Sequence, residues 1–187
     1  ERNAPDVPRS ARRIALPRPP EIYEPSRRNS AGLPLTEPRV RAALAAEMSA
    51  AITGNLVAAP IVSGEVRADG RPYETALCPH DRRERVGTVV AADATDIEKA
   101  IVAATAAVDR WDRTPVATRA DILVLAADFF ERDRAKLMAM LVRETGKTLE
   151  AAQAELREAV DHLRYAAAEA KRLLAVPVAL PGPTGEA

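Results

Sequence analysis

From residue 95 onward, apolar positions recur at steps of three and four, the spacing that gathers one face of an α-helix. Ile97, Ile101, Ala104, Val108 and Trp111 form one such face. Just ahead of it, Thr95-Asp96-Ile97-Glu98 has the S/T-x-x-E spacing of a capping box. Thr114-Pro115 predicts a restart, because a proline in the first turn gives up an N–H that has no intrahelical partner. In that second helix Val116, Ala120, Leu123, Ala127 and Phe130 share one side, while Ile122, Leu125 and Phe129 share another. The pattern predicts burial on more than one face. A third helix over 135–145 carries Leu137, Met140 and Leu141. The longest follows, with Leu149, Ala152, Leu156, Val160, Leu163, Ala167, Ala170 and Leu174 in register. Its other side, with Glu150, Arg157, Glu158, Asp161, Arg164 and Lys171, reads as a solvated face whose charges pair at helical spacings.

Upstream the period changes. Val40, Leu44, Met48 and Ile52 form a stripe for a helix starting at Thr36, with Glu37 and Pro38 in its first turn and Gly54 as its stop. Between about 58 and 92, short β-prone runs flank Asp69-Gly70, a tight-turn signal, and "RVGTVVAA" reads as a further strand. A small β-hairpin or meander is expected there. Eight of the fifteen prolines fall within the first 38 residues. Each fixes its own φ and pushes its predecessor out of the α region, so residues 1–35 read as an extended connector. No unit recurs at a fixed period.

Composition narrows the function classes. The 187 residues carry 27 basic and 27 acidic side chains, so no net field draws the chain to nucleic acid or membrane. The seven arginines up to Arg28 are interleaved with four acids, and only Tyr23 could stack on a base, which favours a tether over a nucleic-acid arm. No apolar run reaches membrane-spanning length, and no apolar h-region follows the charged first residues, so neither a span nor a signal peptide is expected. A lone cysteine suits a reducing compartment. The chain opens on Glu1 and closes on "VPVALPGPTGEA", a Pro/Gly-rich run that reads as a connection, so a piece of a longer protein is expected.

Four groups of residues invite a chemical reading. Gly146-Lys147-Thr148 are the last letters of a P-loop, but the glycine required five residues before the Gly-Lys pair is Leu141, and the preceding segment is helical. A helix-to-helix turn is expected instead, with Gly146 ending one helix and Thr148 capping the next. Cys78 and His80 in "CPHD" could make a nucleophile pair, yet no base-orienting group or oxyanion donor can be assigned. As metal ligands they are two where structural zinc takes four, and His162 lies far off in sequence. Glu155, Glu158 and Asp161 sit among Arg157 and Arg164, a pattern for ion pairing rather than acid–base catalysis. Trp111, Phe129 and Phe130 read as core aromatics. No catalytic, cofactor-binding or metal-binding residue is assigned from these patterns.

The order of motifs resembles the start of the aldehyde dehydrogenase superfamily: a hairpin, a helix ending in Trp111, the "TPVATR" start at 114–119, "ETGK" at 144–147, then a helix carrying Leu163-Arg164-Tyr165. The upstream "IALPRPPEIYEPSRRNSAGLPLTEP" and the later "AELREAVDHLRYAA" resemble the branch of bifunctional proline utilization A enzymes. The resemblance implies an α/β parent, of which this segment is mostly α-helical with a small antiparallel β-hairpin. Residues 1–35 would be the inter-domain connector, and 36–187 an incomplete N-terminal portion of the dehydrogenase domain. It further implies a cytoplasmic homo-oligomer that oxidises proline with FAD and then L-glutamate γ-semialdehyde to glutamate with NAD. The oxyanion-holding Asn, general-base Glu and nucleophilic Cys of the family have no counterpart here, so Cys78 inherits no catalytic role and the chain alone is expected to be inactive. Its first partner would be the remainder of its own parent chain. The rival readings are a stand-alone helical interaction module and the N-terminal part of a monofunctional aldehyde dehydrogenase.

Overall fold

A computed structural model describes residues 16–52, 54 and 56–176; the expectations for the first residues and for the closing Pro/Gly-rich run fall outside that range. Five α-helices are present among the described residues, after a short 3-10 helix at Pro19–Glu21: α1 (Pro38–Ala51), α2 (Ala94–Asp112), α3 (Val116–Arg132), α4 (Arg134–Thr145) and α5 (Leu149–Leu174). Between α1 and α2 lie the strands β1 (Leu56–Ala58), β2 (Ile61–Val62), β3 (Glu65–Val66), β4 (Glu74–Leu77) and β5 (Arg85–Val89).

The largely helical character with a small antiparallel hairpin agrees with the sequence pattern, but the hairpin turn is not the expected one. β2 and β3 pair across Ser63-Gly64, where both residues have positive φ. Asp69-Gly70 is a turn, yet it only leads from β3 into β4. Beside the hairpin stands a three-stranded mixed sheet in the order β1-β5-β4, with β1 parallel and β4 antiparallel to β5. Arg85 to Val89, read as one strand from "RVGTVVAA", is its centre, with Val86 and Thr88 buried.

The helical layer is held by small residues at close approach. Ala120 and Ala127 of α3 and Val160 and Ala167 of α5 are all at most 2% exposed. Ion pairs rise along α3 as they descend along α5, Lys171–Asp121 and then Arg164–Asp128, so the two helices run antiparallel. A second cluster joins Leu44 of α1, Met138 of α4, and Ala152 and Leu156 of α5 to Leu35, which lies before α1. Each large side chain buried there contributes about 2 kcal/mol.

Two expectations are corrected here. The capping box of α2 is two residues earlier than the Thr95–Glu98 spacing suggested. Asp93 is the N-cap, accepting from the Asp96 N–H at 2.9 Å, and the Asp96 carboxylate accepts from the Asp93 N–H at 3.1 Å. An aspartate at N3 here takes the place of the usual glutamate or glutamine. Trp111, Phe129 and Phe130, expected as core aromatics, are not covered among the described residues: they are 50%, 44% and 36% exposed. Ile97, Ile101, Ile122 and Leu125 are at least half exposed as well, so the predicted faces of α2 and the second face of α3 have no cover within the described residues.

Candidate functional site

The Gly146-Lys147-Thr148 turn has the geometry of a helix joint. Gly146 sits at φ +73°, the left-handed conformation of a helix stop, and its N–H donates to the Val142 carbonyl at 3.1 Å. Thr148 caps α5, its hydroxyl accepting from the Ala151 N–H at 3.2 Å. Lys147 is ion-paired with Glu155. A P-loop needs an uncommitted lysine and a Gly-rich loop after a strand, and here the lysine is paired and the turn joins two helices. Its neighbour is the "CPHD" loop: a Cβ at Gly146 would stand 3.0 Å from Pro79 Cγ and 3.5 Å from His80 Cε1.

Cys78 is buried at the end of β4, its N–H donating to the Glu84 carbonyl. His80 is exposed against the Gly146 turn, while His162 lies on α5 beside Glu158 at 3.5 Å. Among the described residues no three metal-ligating side chains converge. The supposed carboxylate cluster disperses as well. Glu155 goes to Lys147 and Glu158 to His162, while Asp161 turns to the chain before α1.

That last contact belongs to an arrangement the sequence reading placed wrongly. Arg164 and Asp161 were expected on a solvated face, yet Arg164 is only 7% exposed. Its guanidinium lies 2.7 Å from Glu131 and 2.8 Å from Asp128 on α3, and it also donates to the Asn29 carbonyl at 3.3 Å. Asp161 accepts from both the backbone N–H and the hydroxyl of Ser30, at 2.6 and 2.8 Å. Glu131 accepts from the Ala31 N–H at 2.7 Å. Gln153 accepts from the Leu33 N–H at 2.7 Å and donates to the Leu33 carbonyl at 3.2 Å. Residues 29–33 thus lie across α3 and α5, with Ser30 1% exposed, and the chain turns at Leu35, whose N–H donates to the Leu33 carbonyl at 2.9 Å.

Electrostatics follows that packing. Burial pushes the Glu131 carboxyl up, but the Ala31 N–H, the Arg164 guanidinium and the charge of Arg134 together outweigh it and hold the group below its ordinary range. Burial likewise works against the Arg164 charge, and hydrogen bonds to Glu131 and Asp128 more than restore it. A second carboxylate knot sits at the α2 end. Asp96 is 2% exposed and held low first by the Asp93 N–H, then, against burial, by Arg71 at 2.7 Å and Arg67 at 2.9 Å. The sequence did carry a signal for Arg164. Stepping four from Val160 and three back from Ala167 lands on 164, the buried stripe itself.

No described helix is long and apolar enough to cross a membrane. A profile of the aldehyde dehydrogenase family matches residues 66–184. "Bifunctional protein PutA" of Klebsiella aerogenes is 35% identical over 156 residues, covering 83% of this chain and 12% of that protein. A 1-pyrroline-5-carboxylate dehydrogenase of Anoxybacillus flavithermus is 35% identical over 114 residues, covering 61% of this chain and 22% of that one. The solved 1-pyrroline-5-carboxylate dehydrogenase from Thermus with bound NAD superposes with a TM-score of 0.73 at 30% identity, over 83% of this chain and 30% of that chain. The chain therefore spans less than a third of the length of these relatives.

Proposed function

The chain belongs to the aldehyde dehydrogenase family, and we propose that it is the first part of an L-glutamate γ-semialdehyde dehydrogenase inside a bifunctional proline-catabolic protein. One observation carries this reading. In sequence, the match to the bifunctional relative covers 83% of the chain, against 61% for the monofunctional one of Anoxybacillus flavithermus, and being 156 residues long it extends upstream of residue 66, where the family profile begins, a stretch over which the monofunctional enzyme from Thermus is alike in fold. That greater reach supports, in our reading, a connector held in common with the bifunctional relative.

In this reading residues 1–35 join the two catalytic units, and residues 36–187 open the dehydrogenase domain. The parent, a cytoplasmic homo-oligomer, oxidises proline with FAD and then the semialdehyde to glutamate with NAD. The nucleophile, the general base and the nicotinamide site belong to the remainder of the parent, so this chain by itself is inactive. What its own residues supply is a frame. The exposed apolar faces of α2 and α3, with Ile101 60% and Trp111 50% exposed, suit a layer that covers a parallel sheet contributed by that remainder. The same exposure disfavours a stand-alone interaction module, which would bury its own stripes.

Assaying the intact protein that carries this chain tests the reading. NADH should form from L-glutamate γ-semialdehyde in preference to other small aldehydes, and proline should reduce an artificial electron acceptor through bound flavin. NADH formation without proline oxidation would leave a monofunctional dehydrogenase. Failure with the semialdehyde, against activity on another aldehyde, would end the substrate assignment.

A further inference from the structure

Between Asn29 and Leu33, six backbone groups are met by side chains of the helical layer, while backbone partners take the Asn29 N–H (the Pro20 carbonyl) and share the Leu33 carbonyl (the Leu35 N–H). The Asn29 carbonyl takes Arg164, the Ser30 N–H takes Asp161, and the Ala31 N–H takes Glu131. The Ala31 carbonyl takes Arg134 at 3.3 Å, and both polar groups of Leu33 take Gln153. One hydroxyl, that of Ser30, is buried between Asp161 and the Arg157 guanidinium at 3.2 Å. Leu35, 6% exposed, closes the segment by entering the core beside Leu44 and Leu156. At the other end Arg27 stacks over Tyr23, 3.9 Å from its centroid, and faces Tyr165 of α5 at 5.7 Å.

From this we propose that the α3–α5 face is a docking groove for an extended segment, occupied by the chain's own residues 29–35, which are held as one cooperative strap with Asp161 at its centre. The chemistry of the groove defines its occupant. It takes backbone through acceptors and donors matched to Asn29, Ser30, Ala31 and Leu33, a small hydroxyl residue opposite Asp161, and a large aliphatic residue five positions later. Backbone groups can be met this way only if the segment stays in register, so losing the central contact releases the neighbours too. The strap fixes where the preceding chain leaves the helical layer. If the upstream part is a second catalytic unit, a consequence that rests on the bifunctional reading, then the chain coming from it is anchored on this layer already at residues 29–35 and not first at α1. The strap itself stands without that reading.

Amide hydrogen exchange of the intact protein tests the strap directly. The N–H groups of Ser30, Ala31 and Leu33 should be protected together. In Asp161→Ala all three should exchange faster by about tenfold or more, with α3 and α5 amides unchanged and trypsin cutting more readily at Arg27 and Arg28. If Asp161→Ala disturbs the helices themselves, Ser30→Ala, which keeps the backbone contact and deletes only the hydroxyl, should give the same joint acceleration to a smaller degree. Free-loop exchange at these three amides in the unaltered protein would overturn the proposal. So would acceleration confined to Ser30 in the variants. Neither result bears on whether the protein oxidises the semialdehyde, so the two ideas fail separately.

Discussion

Arg164 Nη2 lies 2.7 Å from Glu131 Oε2, with the arginine side chain 7% and the glutamate 23% exposed. Asp128, the second carboxylate on the same nitrogen, is 57% exposed. That asymmetry predicts unequal costs. Removing the charge at Glu131 leaves a buried guanidinium with only a solvated partner and weakens the Ala31 contact as well. Glu131→Gln should lower stability by about 2–3 kcal/mol. Asp128→Asn should cost less than about 1 kcal/mol, as for an exposed pair. Urea midpoints at unchanged m would measure both. Equal costs would mean that the Arg164 charge is satisfied elsewhere.

The same carboxylate sets a pH dependence. Glu131 is held below its unfolded value of about 4.3, so its stabilisation is complete above that value and is lost as pH falls through the lower folded value. Asp96 titrates in the same direction, which makes the difference between the parent and Glu131→Gln the proper readout. That difference should be flat above about pH 5 and shrink toward zero below about pH 4. A difference that grew on acidification would mean the folded state prefers a protonated Glu131.

How much of this was legible beforehand divides along physical lines. Helices α1 to α5 were readable because each has a 3.6-residue apolar period bounded by local signals, and Gly146 and Thr148 behave as those signals require. The strand pairing was not readable, since β1 meets β5 in parallel across about thirty residues and no short-range pattern encodes such a partner. The site candidates failed for a related reason. Ser30 and Asp161 lie 131 positions apart, so a charge that looks solvated on its own helix can be buried by a distant strand of chain. Trp111 and Phe129 were misplaced because periodicity reports that a face wants cover without saying what covers it.

Two glycines should behave very differently when given a side chain. A Cβ at Gly87 would sit 2.4 Å from the Leu56 carbonyl oxygen, inside the parallel β1–β5 pairing. Backbone cannot yield as a flexible side chain does, so Gly87→Ala should cost about 3 kcal/mol and strip exchange protection from β1 first. At Gly146 the limit is conformational: φ is +73°, and Pro79 Cγ would be 3.0 Å from the new carbon. Gly146→Ala should cost about 1–2 kcal/mol, with Gly146→Asn milder because asparagine tolerates the left-handed region. If Gly87→Ala proved as mild as Gly146→Ala, the close approach of β1 to β5 would be in error.

Trp111 is the chain's one tryptophan and reports on the uncovered faces. It is 50% exposed, with the Arg119 guanidinium 5.9 Å from its ring, and the exposed side chains of Ile101 and Val108 belong to the same helix. If these faces await a sheet from the rest of the parent, the 187-residue chain expressed alone should cover them by self-association. Its Trp111 emission should then shift to the blue as concentration rises, and a hydrophobic dye should bind at low concentration. Ile101→Lys and Phe129→Glu should each weaken the association several-fold, because placing a charge in an apolar contact costs about 1–3 kcal/mol. A clean monomer at every concentration, with Trp111 emission unchanged and no dye bound, would mean that the stripes are covered within this chain after all and that no sheet is missing.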